Sequence, residues 1–367
     1  MQKVKFVDPE KRMFFNTLKS RVDQYFKDKK LSPHANFTMI LKTIVLLGFY
    51  ILPFVVLVWL PMAFGFKLLL WALMGFAVAG VGMSIMHDAN HGAYSKYPWV
   101  NRLVGYSINL LGASTHNWKL QHNLLHHTYT NVLNMDEDIA DKGILRFSPH
   151  TEVKGIHRYQ WIFAPLFYGI MTLYWVTVKD FVQFTRYHKK GLAQNSPLQA
   201  TFVFLRIIIL KIAYFSVLFG VPILLGAHTF GAVLAGFLVM HLVAGIVLTL
   251  IFQLAHTVEG TSHPIPDAAG CIQNEWAIHQ MNTTVNFSPR SRFLTWYCGG
   301  LNYQVEHHLF PRVCHVYYPK ISKIVKETAA EFGVPYLENE TFGKALSAHF
   351  STLKRFGRLP DLTEGIG

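Results

Sequence analysis

The chain reads as an all-α integral membrane protein, with four transmembrane helices in two hairpins and a cytoplasmic helical cap that holds a di-metal site. Three observations carry this reading. Hydrophobic residues fill 51% of the 367 positions and charged residues only 15%, against roughly 25% charged in a typical soluble domain. Long uncharged stretches come in pairs. Three histidine clusters, His87-Asp88-Ala89-Asn90-His91, His122-Asn123-Leu124-Leu125-His126-His127 and Gln304-Val305-Glu306-His307-His308, lie just beyond those stretches or in polar segments bracketed by them.

Residues 1–42 form a polar, basic, amphipathic cytoplasmic segment. Asp8-Pro9-Glu10 suits an N-cap, a first-turn proline and a first-turn acid. Phe14, Leu18, Val22 and Tyr25 then recur at helical spacing. The first apolar run begins too late for a cleavable leader and is expected to stay as a span.

Residues 43–86 are the first hairpin. Stretches 43–66 and 68–86 carry no charge, and each is long enough to cross roughly 30 Å of hydrocarbon as a helix. Residues 202–255 are the second hairpin, with its break near Gly226-Ala227-His228-Thr229. Arg206 and Lys211 fall near its start, where long basic side chains can snorkel to the interface.

Segments 1–42, 87–201 and 256–367 then share one side. Nearly every Lys and Arg falls there, Lys67 being the main exception, and the positive-inside rule makes that side cytoplasmic. Residues 161–178 are also apolar for about one crossing length. Were they to cross, the third histidine cluster would face away from the first two. With Pro165, Gly169 and many aromatics, the segment suits an interfacial or re-entrant helix. The last region, 256–367, adds helices with apolar stripes at Ile321, Ile324, Val325 and Ala329, then at Leu346, Phe350 and Leu353. The whole is expected to form one structural unit.

The 34 Lys and Arg against 21 Asp and Glu give a net charge of +13. Cytoplasmic basic loops explain that excess, and with no zinc finger or RNA-recognition signature a nucleic-acid partner is not expected. Cys271, Cys298 and Cys314 are too few and odd in number for a disulfide framework and read as packing residues.

Neutral imidazole is a good ligand for transition metals. Residues i and i+4 of a helix share a face, so His87 and His91 can aim at one place, as can His122 and His126. His127 follows its neighbour by about 100° and can reach a second ion; His307 and His308 repeat that geometry. Seven such histidines exceed the roughly four ligands of one tetrahedral ion. His256, at the end of the fourth span, is a further ligand candidate, and His279 could bind metal or support a ligand. Asp88, Asp136, Asp138 and Glu306 lie near enough in sequence to accept hydrogen bonds from bound imidazoles. Imidazole suits Zn, Cu and Fe alike. No HExxH or GxSxG motif supports hydrolysis. A dinuclear iron site could use O2 against an unactivated C–H bond of a lipid chain.

The order HxxxH, HxxxHH, QxxHH with paired membrane hairpins resembles the membrane fatty acid desaturases. Also similar are Trp118 before His122, the run from Asn131 to Asp138, and Gly299-Gly300-Leu301-Asn302-Tyr303-Gln304-Val305-Glu306-His307-His308-Leu309-Phe310-Pro311. The glutamine that opens the third cluster resembles the front-end branch, which includes linoleoyl-CoA-desaturase-like proteins. The resemblance implies two iron ions, with O2 as co-substrate and two external electrons, acting on a long-chain acyl-CoA or acyl-lipid substrate in the bilayer. His87, His91, His122, His126, His127, His307 and His308 would bind iron, and His256 looks like the family's ligand outside the boxes. Gln304 stands where many desaturases have a ligating histidine. Many front-end members carry a fused cytochrome b5 domain; no His-Pro-Gly-Gly haem motif occurs here, so a separate ferredoxin or cytochrome b5 is expected as donor. Lys179, Arg186, Lys189 and Lys190 are its candidate docking residues. A bacterial inner membrane is favoured, with the endoplasmic reticulum as alternative. A lipid hydroxylase on the same scaffold is the nearest rival, and a histidine-rich zinc membrane protein the rival from another class.

Overall fold

The computed structural model describes residues 4–11, 13–139, 143–193, 196–226 and 228–360; Ala227, at the expected break of the second hairpin, lies outside them. The fold is mostly helical. Met1–His34, Gln121–Ala164 and Ile251–Gly367 make up one compact unit, and Ala35–Leu120 with Pro165–Leu250 the other. Among the described residues five helices are long and apolar enough to cross a membrane: Phe37–Trp59, Phe64–His91, Gly155–Lys189, Pro197–Leu224 and Phe230–His256. The 161–178 segment lies within the third of these. Pro165 sits inside it without ending it.

In the second unit, Phe37–Trp59 starts where the Asn36 side chain accepts from Met39 N at 3.1 Å, a satisfied N-cap. The helix ends before Pro61, so Phe64 already belongs to the next helix rather than to a first span running to 66. That next helix continues from Phe64–Gly80 through a π-helical turn, Val81–Ile85, into Met86–His91. Gly92 stops it with φ 80°: Gly92 N reaches Ala89 O and Ala93 N reaches Asp88 O, a close that favours glycine because its left-handed backbone crowds any Cβ. Ser196 and Gln199 cap Pro197–Leu224 reciprocally, with Pro197 in the first turn.

Lys211 does not snorkel. It is buried, pairs with the fully buried Asp180 at 2.6 Å, and donates to Gly112 O and Trp175 O. It lies in the interior of the helix Pro197–Leu224, packed among protein, and a carboxylate on the neighbouring helix supplies its partner. Asp180 also accepts from Ser114 N at 3.0 Å. Arg206, exposed, lies over the Tyr106 ring. His241 is a packed, hydrogen-bonded histidine between Tyr214 Oη at 2.9 Å and Thr172 Oγ1 at 3.1 Å.

The first unit contains the helices Phe14–Asp28, Trp276–Thr283, Gln304–Leu309, Tyr318–Glu331 and Phe342–Phe356. Two short parallel strand pairs tie distant segments together, Lys5–Phe6 to Cys271–Ile272 and Asn286–Phe287 to Glu338–Asn339. The N-terminal helix begins at Phe14, not at Pro9, because Met13 is left-handed at φ 58°. Its first amides are met by a distant group instead: Glu275 accepts from Phe14 N at 3.2 Å and Phe15 N at 2.8 Å. Its buried stripe is Phe14, Leu18, Val22 and Phe26, which takes the place expected of Tyr25. Each such side chain stabilises by roughly 1.5–3 kcal/mol when fully buried. The stripe meets Tyr318–Glu331: Phe14 packs on Phe332, and Arg21 forks onto Glu331. In Phe342–Phe356 the buried face is Ala345, His349, Thr352, Leu353 and Phe356; Leu353 is buried as expected, whereas Ala345 and His349 take the places expected of Leu346 and Phe350. The buried Arg146 closes that helix by donating to Phe356 O and Leu359 O, favourable at a helix C-terminus. The three cysteines are free thiols.

Candidate metal centre

Six of the eight histidines singled out from the sequence, His122, His126, His127, His256, His307 and His308, fall in the first unit. The second box does not sit on a plain α-helix. Lys119–His126 is π-helical and returns to α geometry at His127–Tyr129. The wider winding turns each residue through a smaller angle, so His127 stays near the face of His122. Their Nε2 atoms are 3.1 Å apart. Such turns recur at functional sites.

His126, His256 and His308 converge: their ligand nitrogens lie within 4.8 Å of one another, and so do those of His127, His307 and His308. The rings of His126 and His256 stand 4.7 Å apart, and those of His127 and His307 4.5 Å. All of these side chains are buried.

Which nitrogen faces inward is fixed by what the other nitrogen meets. His126 Nδ1 lies 3.0 Å from Asp136 Oδ2, His256 Nδ1 3.3 Å from Thr283 O, and His308 Nδ1 2.8 Å from Gln280 Oε1. Each partner is an acceptor, so each Nδ1 carries the proton and each Nε2 presents a lone pair. The Nε2 atoms of His126, His256 and His308 are buried without a hydrogen-bond partner. Three converging, unsatisfied acceptors are costly in a dry interior. A transition-metal cation removes that cost, and Nδ1 held by an acceptor is the usual support of a metal-bound imidazole. The donor set therefore fits a metal.

Asp136 is fully buried, and its Oδ2 also accepts from Asn131 N at 3.0 Å. Asp138 lies 3.6 Å from His126 Nδ1 and accepts from Gln121 Nε2. Burial opposes charge on His126, but Asp136 and Asp138 outweigh it and raise the basicity of the imidazole; a metal at Nε2 would take the place of the second proton. Asn131, left-handed at φ 59°, donates to His256 O at 3.1 Å. It links the loop after the second box to the helix end that carries His256.

The remaining sequence candidates are placed as follows. Glu306 accepts from Asn286 Nδ2 at 2.8 Å and from Tyr336 Oη at 2.9 Å; burial pushes it up to about 7 despite those bonds. Gln304 is buried, and its Oε1 has no hydrogen-bond partner. His279 belongs to no convergent group among the described residues; its ring packs on Phe6 at 4.9 Å, and burial pushes it down to about 4. In the second unit His87 and His91 pair with rings 4.8 Å apart, both edge-on to Trp118, and Asp88 is buried beside them. Sequence reasoning missed Gln280, Thr130 and Thr283, whose roles are backbone contacts or neutral side chains that no spacing marks. Asn131 fell inside the 131–138 run but had no reason to be singled out there.

Comparison with known proteins gives this geometry a family. The fatty acid desaturase profile matches residues 59–339. The chain belongs to the fatty acid desaturase family. As a desaturase it is an oxidoreductase that introduces a carbon–carbon double bond into an acyl chain, and its apolar helices make it a membrane protein. It is 36% identical over 365 residues to the sn-1 linoleoyl-lipid 6-desaturase of Synechocystis sp., covering 97% of this chain and 98% of that one. It is 38% identical over 348 residues to the protein of the same name from Arthrospira platensis, covering 95% and 94%. The acyl-lipid (8-3)-desaturase of Physcomitrium patens is 37% identical over 96% of this chain and 74% of its own.

Proposed function

We propose that this desaturase inserts its double bond on the carboxyl side of a lipid-linked, already unsaturated chain, in the manner that the names of its sn-1 linoleoyl-lipid relatives describe. The overall change is –CH2–CH2– + O2 + 2 e⁻ + 2 H⁺ → –CH=CH– + 2 H2O. Iron supplies the O2-dependent C–H cleavage when bound. We assign two irons, with His87, His91, His122, His126, His127, His256, His307 and His308 as ligands. The observation that carries the ligand set is the convergence of the buried His126, His256 and His308 side chains, whose Nε2 atoms have no hydrogen-bond partner. Gln304, with its unpartnered buried Oε1, suits a ligand or a bound water; His279, Asp88, Asp138 and Glu306 are assigned supporting positions.

The chain's own residues hold the imidazoles. Asp136 and Thr283 fix their proton positions, and the buried setting excludes water. For topology we keep four spans in two hairpins, 43–86 and 202–255, with 1–42, 87–201 and 256–367 forming a cytoplasmic cap. In that arrangement the helix Gly155–Lys189 lies along the interface, which would keep the three boxes on one side of the membrane. A separate ferredoxin or cytochrome b5 supplies the electrons, docking at Lys179, Arg186, Lys189 and Lys190. The near full-length match to the Synechocystis protein favours a bacterial inner membrane over the endoplasmic reticulum.

The test is a gas-chromatography mass-spectrometry profile of host fatty acids with double bonds located by derivatisation. A new front-end unsaturated acid in cells with this chain, absent with His126→Ala, is expected. A hydroxy acid in its place would move the chemistry to hydroxylation.

A further inference from the structure

We infer that Gln280 is a positioning residue of the desaturase, an amide whose fixed orientation sets the proton position of His308 and ties the second histidine box to the third. The inference rests on the metal-centre reading above. One atom of the bridge cannot change roles. His127 O is a backbone carbonyl and can only accept. Gln280 Nε2 lies 3.2 Å from it, so the amide must present its NH2 there. The opposite end is then Oε1, also an acceptor only. It faces His308 Nδ1 at 2.8 Å, which must therefore carry the proton. His308 Nε2 is left as a lone pair, buried and without a hydrogen-bond partner.

A flipped amide would set oxygen against the His127 carbonyl and NH2 against His308 Nδ1. The imidazole would then favour the other tautomer and point an N–H where a metal needs a lone pair. The His127 carbonyl opposes the flip, because it accepts from Trp276 Nε1 as well, at 3.3 Å, and has no proton to offer an oxygen. Thr130 Oγ1 lies 2.8 Å from Gln280 Oε1, 2.7 Å from His126 O and 3.2 Å from His308 Nδ1; its single proton serves one of them, so the hydroxyl does not choose the orientation of the amide. Gln280 is fully buried, so water cannot replace either contact. His126 and His256 have their proton positions set by a carboxylate and a backbone carbonyl, neither of which can turn donor by rotation; the Gln280 amide can.

The test is metal binding, with no dependence on turnover. The full chain is purified in detergent, stripped of metal and titrated with Co2+, following its visible absorption. Gln280→Leu removes both ends of the bridge and is expected to weaken cobalt binding about 10–100-fold, as loss of a supporting partner does. Gln280→Glu keeps an acceptor for His308 but loses the donor to His127 O, and is expected to bind cobalt more tightly than Gln280→Leu and less tightly than the unmodified protein. Unchanged affinity in Gln280→Leu would overturn the inference. So would an equal loss in both variants, which would mark a packing role. Should Gln280→Leu fail to fold, Gln280→Met, close to glutamine in volume and lacking both ends of the bridge, takes its place with the same expected loss. An unmodified protein that binds no cobalt would instead sink the metal-centre reading itself.

Discussion

Asp136 Oδ2 accepts from His126 Nδ1 at 3.0 Å, and both side chains are wholly buried. A carboxylate raises the basicity of an imidazole whose other nitrogen faces a metal. Replacing Asp136 with Leu is expected to weaken iron binding about 10–100-fold, with Asp136→Asn milder because its amide oxygen can still accept. Metal analysis of protein purified over a range of added iron checks this; equal occupancy in all three proteins would refute it.

His126→Ala removes the imidazole that meets both His256 and His308. Desaturation is expected to vanish while the protein remains in the membrane fraction at ordinary abundance. Fatty acid profiling beside an immunoblot of membranes separates loss of chemistry from loss of protein.

The Lys211–Asp180 pair makes a stability prediction. Asp180→Asn leaves a buried ammonium without its counter-charge, a change that costs about 3–5 kcal/mol. The double variant Asp180→Asn, Lys211→Met is expected to recover much of that loss, because no lone charge remains buried. Thermal unfolding in detergent gives the order; a double variant weaker than the single would contradict it.

His349 gives a pH dependence outside the metal centre. Burial pushes it down to about 4, against the smaller opposing effect of its bond to Thr257 O. Its ordinary value is 6.5, so folding favours the neutral form. The stability it contributes is complete above about pH 6.5 and is lost as the pH falls towards 4. His349→Gln is expected to be less stable than the unmodified protein at pH 8, with the gap narrowing by pH 5. Melting curves across that range read the difference directly.

Much of the site was legible because histidine spacing is a chemical pattern written in the chain. His87 and His91 end a continuous helix, as their position after an apolar run implies. The proton-fixing partners were harder to see. Thr283 acts through a carbonyl that every residue possesses, and Gln280 through a neutral amide at no marked spacing. The π-helical winding at Lys119–His126 was invisible to a rule that assumes 100° per residue. In the fold, Lys211 misled because a lone lysine in an apolar run suggests snorkelling; its partner, Asp180, lies 31 positions away and belongs to another helix. The late start at Phe14 goes with a left-handed Met13 and a distant cap, Glu275, that no local signal announces.

That cap has a consequence for how the protein is made. Glu275 leaves the ribosome 260 residues after Phe15, roughly 13–50 s later at about 5–20 residues per second. The stripe Phe14, Leu18, Val22 and Phe26 waits longer still for its packing surface on Tyr318–Glu331. The first helix in the chain is thus among the last to be completed. Throughout synthesis its apolar face must be sheltered by something other than its native neighbours, and a nonsense mutation near the carboxyl end would strand the amino end as surely as it removes its own segment.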